Sequence, residues 1–295
     1  MVEAFFRRSE PGVVPAPVAE GSPARRLRDA IEPIAMHSVW SRRTNERLRP
    51  LGLDFLGAYV WGRAAALGEP AAGVVVSSFA VFEPGMLTAT YEQARAACSR
   101  DVMLAARAEA TIESLHESLG GADVAGVADR LAEAVSAADT TGRPLFAGLA
   151  RQAWPDEPVG RLWRACELAR EHRGDSHVAA CIADGLGPIA MNVLTELWVG
   201  MPLGSYSATR GWSAEQIEAT AAELRAAGLL DGDNLSAAGR ARRERLEATT
   251  DAMEQSIIDA LSPDLDAVTA KLDEWSAACI SAGAFPPDAL KRAAG

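Results

Sequence analysis

Apolar residues recur at helical spacing along most of the chain, and the breaks in that spacing carry helix stop signals. Between Ala24 and Arg49, Leu27, Ile31, Ile34, Val39 and Trp40 are set among arginines and acids. Pro33 within this stretch predicts two helical pieces, or a helix starting there, where its missing N–H costs nothing. After the turn at Pro50 and Gly52, Asp54 is placed to cap a helix reaching Leu67. Val74-Val75-Val76 has strand propensity, but its neighbours are helical and no partner strand follows, so a short buried helix is expected. Pro84-Gly85 opens a long helical stretch that Gly120-Gly121 ends, and Asp123 caps another running to Ala138. The run from Thr141 to Pro158 is interrupted by Gly142, Pro144 and Pro155 and reads as a connector. Beyond it the pattern predicts a helix from Val159 to Arg173 and a stop at Gly174. A new N-cap at Asp175 then starts a helix from Ser176 to Asp184, and an apolar helix runs from Ile189 to Val199.

The order after Pro188 is more specific. A Gly/Ser/Pro segment from Gly200 to Ser207 leads to a short helix near Thr209-Arg210-Gly211-Trp212. Ser213 and Gln216 have capping-box spacing, and the helix they start ends at Ala227-Gly228. Leu229-Leu230, the turn Asp231-Gly232-Asp233-Asn234 and Leu235-Ser236 read as the two arms of a β-wing, after which Gly239 starts a long helix through Leu261. The series Leu224…Gly228-Leu229-Leu230, then Leu235-Ser236-x-x-Gly239, then a long helix, resembles the winged-helix unit of the MarR superfamily. Further motifs are His172-Arg173-Gly174-Asp175-Ser176-His177-Val178-Ala179-Ala180, Arg210-Gly211-Trp212 and Glu247-x-x-Thr250-Asp251. These resemble an actinobacterial family of helix-turn-helix domain-containing proteins that pair an N-terminal helical region with a MarR-like part. That resemblance implies the fold and carries no particular activity. The expected architecture is all-α: a flexible arm over 1–22, an N-terminal helical domain over 23–140, a connector over 141–158, and a winged-helix-like domain over 159–295 with a short β-wing and long C-terminal helices.

Composition narrows the function. Hydrophobic residues form 48% of the 295 positions, enough for a real core, and abundant alanine favours helix. The net charge of −11 lowers the expectation of DNA or an anionic membrane as partner, because phosphate neutralisation supplies most nucleic-acid affinity. Cys98, Cys166, Cys181 and Cys279 are widely spaced without a CxxC pair, which predicts buried reduced thiols rather than a disulfide or zinc framework. With no apolar leader and no apolar run of spanning length, a cytoplasmic protein without membrane contact is expected.

DNA readout by the helix from Ser213 to Ala227 is disfavoured. With Ile217, Ala221 and Leu224 facing inward, the outer face presents Glu215, Glu218, Ala219, Ala222 and Ala226, flanked by Glu223 and Arg225, where base readout commonly needs Arg, Lys, Asn or Gln. Asp231 and Asp233 at the wing tip have the same wrong sign. Arg240, Arg242, Arg243 and Arg245 argue the other way, as phosphate contacts or as a solvated face paired with Glu244 and Glu247.

For chemistry, His172 and His177 are the most suggestive pair. In one continuous helix they would point about 140° apart. A helix broken at Gly174-Asp175 would instead turn Arg173, His177 and free N–H groups into one cavity suited to a carboxylate or a haem-type ligand, or would place a general base. The alternative is a capping Asp175 with two structural histidines. Tyr59, Trp61 and Arg63 lie close together, as do Arg210 and Trp212, and each group reads either as core or as an anchor for an acidic ligand. His37 and His116 are lone histidines on helices. No third ligand stands at metal-binding spacing, and GxSxG, P-loop, dinucleotide and HExxH motifs are absent, so standard hydrolase, nucleotide-binding and dehydrogenase readings are poor and the cofactor is left open. Three functions follow: a small-molecule-binding helical protein on a winged-helix scaffold, a ligand-responsive MarR-like transcription regulator, or an enzyme of specialised metabolism using His172 or His177 as its acid–base residue. Leu246, Met253, Ile257 and Leu261 form an apolar seam that either dimerises or packs within the chain, so a monomer or a homodimer is expected.

Overall fold

The computed structural model describes residues 21–294, so the arm expected over 1–22 lies almost wholly outside the described residues. Helix α1 (Pro23–Ala35) begins where Ser22 accepts the Arg25 N–H, with Pro23 in its first turn. It runs through Pro33 without the break that this proline predicts. Proline cannot bond the carbonyl four residues back, and that carbonyl, Asp29 O, accepts instead from Arg292 Nε at 2.7 Å. The short α2 (His37–Trp40) and α3 (Arg42–Leu48) follow, then α4 (Phe55–Ala64), capped by Asp54 through the Gly57 N–H. In α5 (Ala72–Phe79) the valines are helical; Val75 is buried while Val74 faces solvent. The stretch expected to run unbroken from Pro84 divides into α6 (Pro84–Ala97) and α7 (Arg100–Leu119). Cys98 is extended there, and Ser99 supplies a fresh N-cap. Then comes α8 (Ala125–Ser136), and the stretch expected to be a broken connector holds a further helix, α9 (Pro144–Ala150).

The principal correction lies at Gly174. Helix α10 (Pro158–Ala183) is one uninterrupted run of 26 residues through Gly174 and Asp175. Glycine inside a helix costs about 1 kcal/mol against alanine. Burial on both sides of the glycine outweighs that local preference: Leu162, Trp163, Cys166 and Ala169 enter the largest core, and Ala180 and Cys181 enter another. Asp175 does accept a backbone N–H, but from Phe146 in the first turn of α9, at 3.0 Å. It caps a helix other than its own.

The winged-helix order is observed: α11 (Pro188–Trp198), a 3-10 turn (Ser207–Arg210), α12 (Ala214–Ala226), the hairpin β1 (Leu230–Asp231) and β2 (Asn234–Leu235), and α13 (Ala237–Met253). The strands are antiparallel, with Leu230 opposite Leu235. The capping box of Ser213 and Gln216 is formed. The Leu235-Ser236-x-x-Gly239 spacing has a plain cause. Ser236 Oγ donates to Gly228 O at 2.6 Å and accepts from Gly239 N at 3.0 Å, locking the hairpin to the helix start. A Cβ on Gly239 would stand 2.0 Å from Leu229 O. The helix expected from Gly239 to Leu261 is interrupted at Glu254, whose side chain is buried against His172, before α14 (Gln255–Leu261). α15 (Leu265–Ser281) and α16 (Ala289–Ala294) complete the described chain, whose regular elements are all helical apart from the one hairpin.

The largest core draws Leu27 and Ile31 from α1, Leu131 from α8, Trp163 from α10, Ile257 from α14 and Leu272 from α15. Residues on both sides of the 141–158 stretch therefore share one interior. Helix α1 is held there by burial worth about 1.5–3 kcal/mol per large apolar side chain and by Ser276 Oγ donating to Ala30 O. A second core lies under α4, α5 and α6 around Trp61, Phe79 and Tyr91, and a third lies within the winged unit around Leu194, Ile217, Leu224 and Leu246. Leu246, Ile257 and Leu261 of the apolar seam are buried within this chain, with Met253 half-buried. The four cysteines are free thiols, and all but Cys98 are buried. Among the described residues no single helix is long and apolar enough to cross a membrane.

Candidate functional site

Helix α10 packs against both the N-terminal helices and the winged unit, and a cavity of about 140 Å³ opens beside it. Arg170, Arg173, Gly174, Asp175, His177 and Val178 of α10 form its floor. One wall comes from Arg25 and Arg28 on α1, Tyr59 and Arg63 on α4, and Phe79 and Phe82; the other comes from Asn192 and Thr195 on α11, Tyr206 and Arg210, and Arg243 and Glu247 on α13. Of the residues singled out in the sequence, Tyr59, Arg63, Arg173, Asp175, His177 and Arg210 line this cavity. Trp61 and Trp212 do not. Trp61 is fully buried and donates its indole N–H to Cys98 O at 3.1 Å. Trp212 packs outside the cavity and donates to Val81 O at 2.9 Å, a carbonyl shared with Asn192 at 2.8 Å.

Because α10 is continuous, the two histidines diverge as helical geometry requires. His172 is completely buried away from the cavity, with Nδ1 2.7 Å from Glu254 Oε1 and its ring edge-on to Phe146. The Ser176 hydroxyl shares its hydrogen between His172 O at 2.8 Å and Glu254 Oε1 at 3.0 Å. His177 reaches the cavity, but both of its nitrogens are engaged. Thr250 Oγ1 donates its own hydrogen to Leu246 O, so it accepts from Nδ1 at 3.1 Å. That leaves Nε2 to accept from the Cys181 thiol at 3.6 Å. Burial, then the nearby Arg243 charge, pushes His177 down to about 3, and burial pushes the Cys181 thiol up to about 11. The pair is a neutral imidazole and a neutral thiol.

Most arginines of the cavity are neutralised in place. Arg63 grips Glu171 with two bonds of 2.8 and 2.7 Å and stacks over Phe79. Burial disfavours both charges, and each partner outweighs it for the other: Arg63 is shifted up and Glu171 down. Arg170 bonds Glu32 and Glu171, Arg28 pairs with Asp29 and Glu32, and Arg173 bonds Glu247 and Asp251. Glu247 also meets Arg25 and Arg243. Those cations overcome its burial and hold its carboxyl well below the usual range. Asp175 is different. Burial, reinforced by the Glu171 charge, pushes it up to about 7 against the opposing Phe146 N–H and Arg63.

Among the described residues Arg210 alone of these arginines has no carboxylate partner. Its guanidinium lies 4.1 Å over the Tyr206 ring and 5.0 Å over Phe82, and its buried Nε has no hydrogen bond. The turn that carries it is built from α11. Buried Glu196 accepts from Gly204 N at 2.7 Å, Tyr206 N at 2.8 Å and Ser207 N at 2.9 Å. Arg210 O in turn accepts from Glu83 N at 2.9 Å.

Sequence reasoning missed several of these residues. Arg243 was grouped with Arg240, Arg242 and Arg245 as one surface, yet it shares the buried face with Leu246 and Thr250, at spacings of three and seven that were available to read. Arg25 and Arg28 flank Leu27 on α1 and gave the same signal. Phe79, Phe82 and Tyr206 carry no local mark, since only the tertiary fold brings them to the cavity. Among the described residues no cluster has the make-up of a metal site.

A sequence model described as a helix-turn-helix family matches residues 24–286. No curated protein and no solved structure matches the chain.

Proposed function

The chain belongs to this helix-turn-helix family, and on that footing we propose that it is a small-molecule-binding helical protein whose MarR-like winged unit forms a wall of the ligand cavity and does not read DNA. The observation that carries this reading is the cavity itself, a half-open cleft bounded by the N-terminal helices, α10 and the winged unit, with polar and aromatic side chains converging on it. The outward face of α12 supports the second half of the reading. Glu215, Glu218, Ala219, Ala222 and Glu223 are exposed there, and the one arginine, Arg225, is tied to Glu218 at 2.6 Å and Asp233 at 2.9 Å. The arginine cluster on α13 is dispersed: Arg242 bonds Asp184 and Arg243 turns inward. Such a surface repels a phosphate backbone.

The test joins a thermal-shift screen of metabolites with anisotropy on labelled duplex from the protein's own upstream region. A ligand at a hundred times its Kd stabilises the fold by about 2.7 kcal/mol. The same ligand leaves a Val178→Trp variant, whose cavity is filled, unshifted. Duplex binding at physiological salt that resists nonspecific competitor would sink the non-DNA half. Family membership favours a second reading, a ligand-responsive regulator, which that same duplex result would support if the ligand released the DNA. For an enzyme using His177 as base, the doubly bonded neutral imidazole leaves no free nitrogen to take a proton, which weighs against that role.

A further inference from the structure

We propose that the ligand is a small organic monoanion whose acid group pairs with Arg210 and whose apolar body lies against Phe82, Val81 and Met191. This rests on the reading of the cavity as a ligand site. Seven guanidiniums line the cavity, and those other than Arg210 are each within ion-pair distance of a carboxylate. Among the described residues Arg210 is the one without a carboxylate: its Nη1 donates to Thr209 Oγ1 at 3.0 Å and its buried Nε is unbonded. Arg210 is half-buried and its guanidinium faces no carboxylate among the described residues, so an incoming carboxylate would supply the missing counter-charge while using the planar fork of the guanidinium. The side chain is already oriented. The rings of Tyr206 and Phe82 hold it, the three N–H bonds to Glu196 fix its turn, and Glu83 N ties down its carbonyl. Little ordering cost is therefore left for binding.

The rest of the cavity sets the remaining chemistry. Phe79, Val81, Phe82, Val178 and Met191 give it an apolar side that an inorganic ion would leave unfilled. Its volume of about 140 Å³ suits a body on the order of a single six-membered ring. Among the described lining residues no second unpaired arginine answers a second negative charge.

Titration calorimetry on the full chain tests this with cyclohexanecarboxylate, its neutral amide and inorganic phosphate. The carboxylate is expected to bind at least about tenfold tighter than the amide, a difference of about 1.4 kcal/mol, and phosphate is expected not to bind. Arg210→Gln should remove that preference while the amide affinity stays unchanged, and Arg240→Gln, on the exposed start of α13, should change neither. The carboxylate–amide comparison on the unaltered protein stands even if Arg210→Gln fails to fold. Equal binding of amide and carboxylate, both lost in Val178→Trp, overturns the anion inference and leaves the cavity reading intact. Phosphate binding in place of the carboxylate overturns the organic body. No binding of any probe at millimolar concentration overturns both the inference and the cavity reading.

Discussion

Asp175 shows how far one residue's meaning depends on what stands opposite it. From sequence it is an N-cap for its own helix; in the fold it caps α9 through Phe146 N, from the cavity floor, with the charges of Glu171 and Arg63 close enough to act on it. Burial and Glu171 push its carboxyl up to about 7, whereas the unfolded chain titrates near the ordinary 3.8. The folded state therefore holds a proton that the unfolded state releases between those values, so this residue's contribution is full below about pH 4 and is lost as pH rises toward 7. Asp175→Asn keeps an oxygen for the Phe146 N–H and removes the titration. Unfolding midpoints measured from pH 4.5 to 7.5 should show the variant gaining on the parent as pH rises. A constant difference across that range would reject the assignment. The polar character of this residue was legible in the sequence, but its partner was not, because the Phe146 N–H lies 29 positions away on another helix.

At the scale of elements, local chemistry was a good guide where a helix end makes its own cap at Asp54 and Ser213, though the cap at Ser99 divides a stretch that was expected to be continuous. It failed at Pro33 and Gly174, where a distant group or burial supplied what the local sequence withholds. Arg292 serves the carbonyl that Pro33 abandons, and two cores grip α10 on either side of its glycine. The wing was readable because its spacing is dictated at short range. Gly239 is the sharpest case. Its missing Cβ admits the Leu229 carbonyl, to which Ser236 N also donates at 3.0 Å. Gly239→Ala should force the hairpin off α13 and cost about 1–3 kcal/mol, seen as a lower urea midpoint with an unchanged slope. Alanine at the exposed Gly126, where a Cβ meets open space, should be neutral or slightly stabilising. Equal effects at the two positions would show that the close approach is unimportant.

For the whole molecule, the sequence indicated helices and a winged unit, and it left open whether the apolar seam of the last helices serves this chain or a second copy. Leu246 fills the core of the winged unit, while Ile257 and Leu261 fill the core that α1, α8, α10 and α15 share. With those side chains spent internally, sedimentation velocity is expected to give one species at the mass of a single chain, 31.1 kDa, from micromolar to tens of micromolar. A dimer that persists on dilution would require a face other than this seam. The cavity itself was only half visible. Six of its side chains announced themselves by type, whereas the enclosure that relates them is a product of packing between segments far apart in sequence.

The lodging of α1 between α10 and α15 bears on synthesis as well as on stability. Ser276 donates to the carbonyl of Ala30 across 246 positions, and Leu27 and Ile31 share a core with Leu272 and Trp275. At about 5–20 residues per second, a ribosome needs on the order of 12–50 s to make the chain between them. Throughout that interval the apolar stripe of α1 has been translated but its final cover has not. A nascent chain halted before α15 should accordingly leave Leu27 and Ile31 open to protease or chaperone, and release of the later helices should close them.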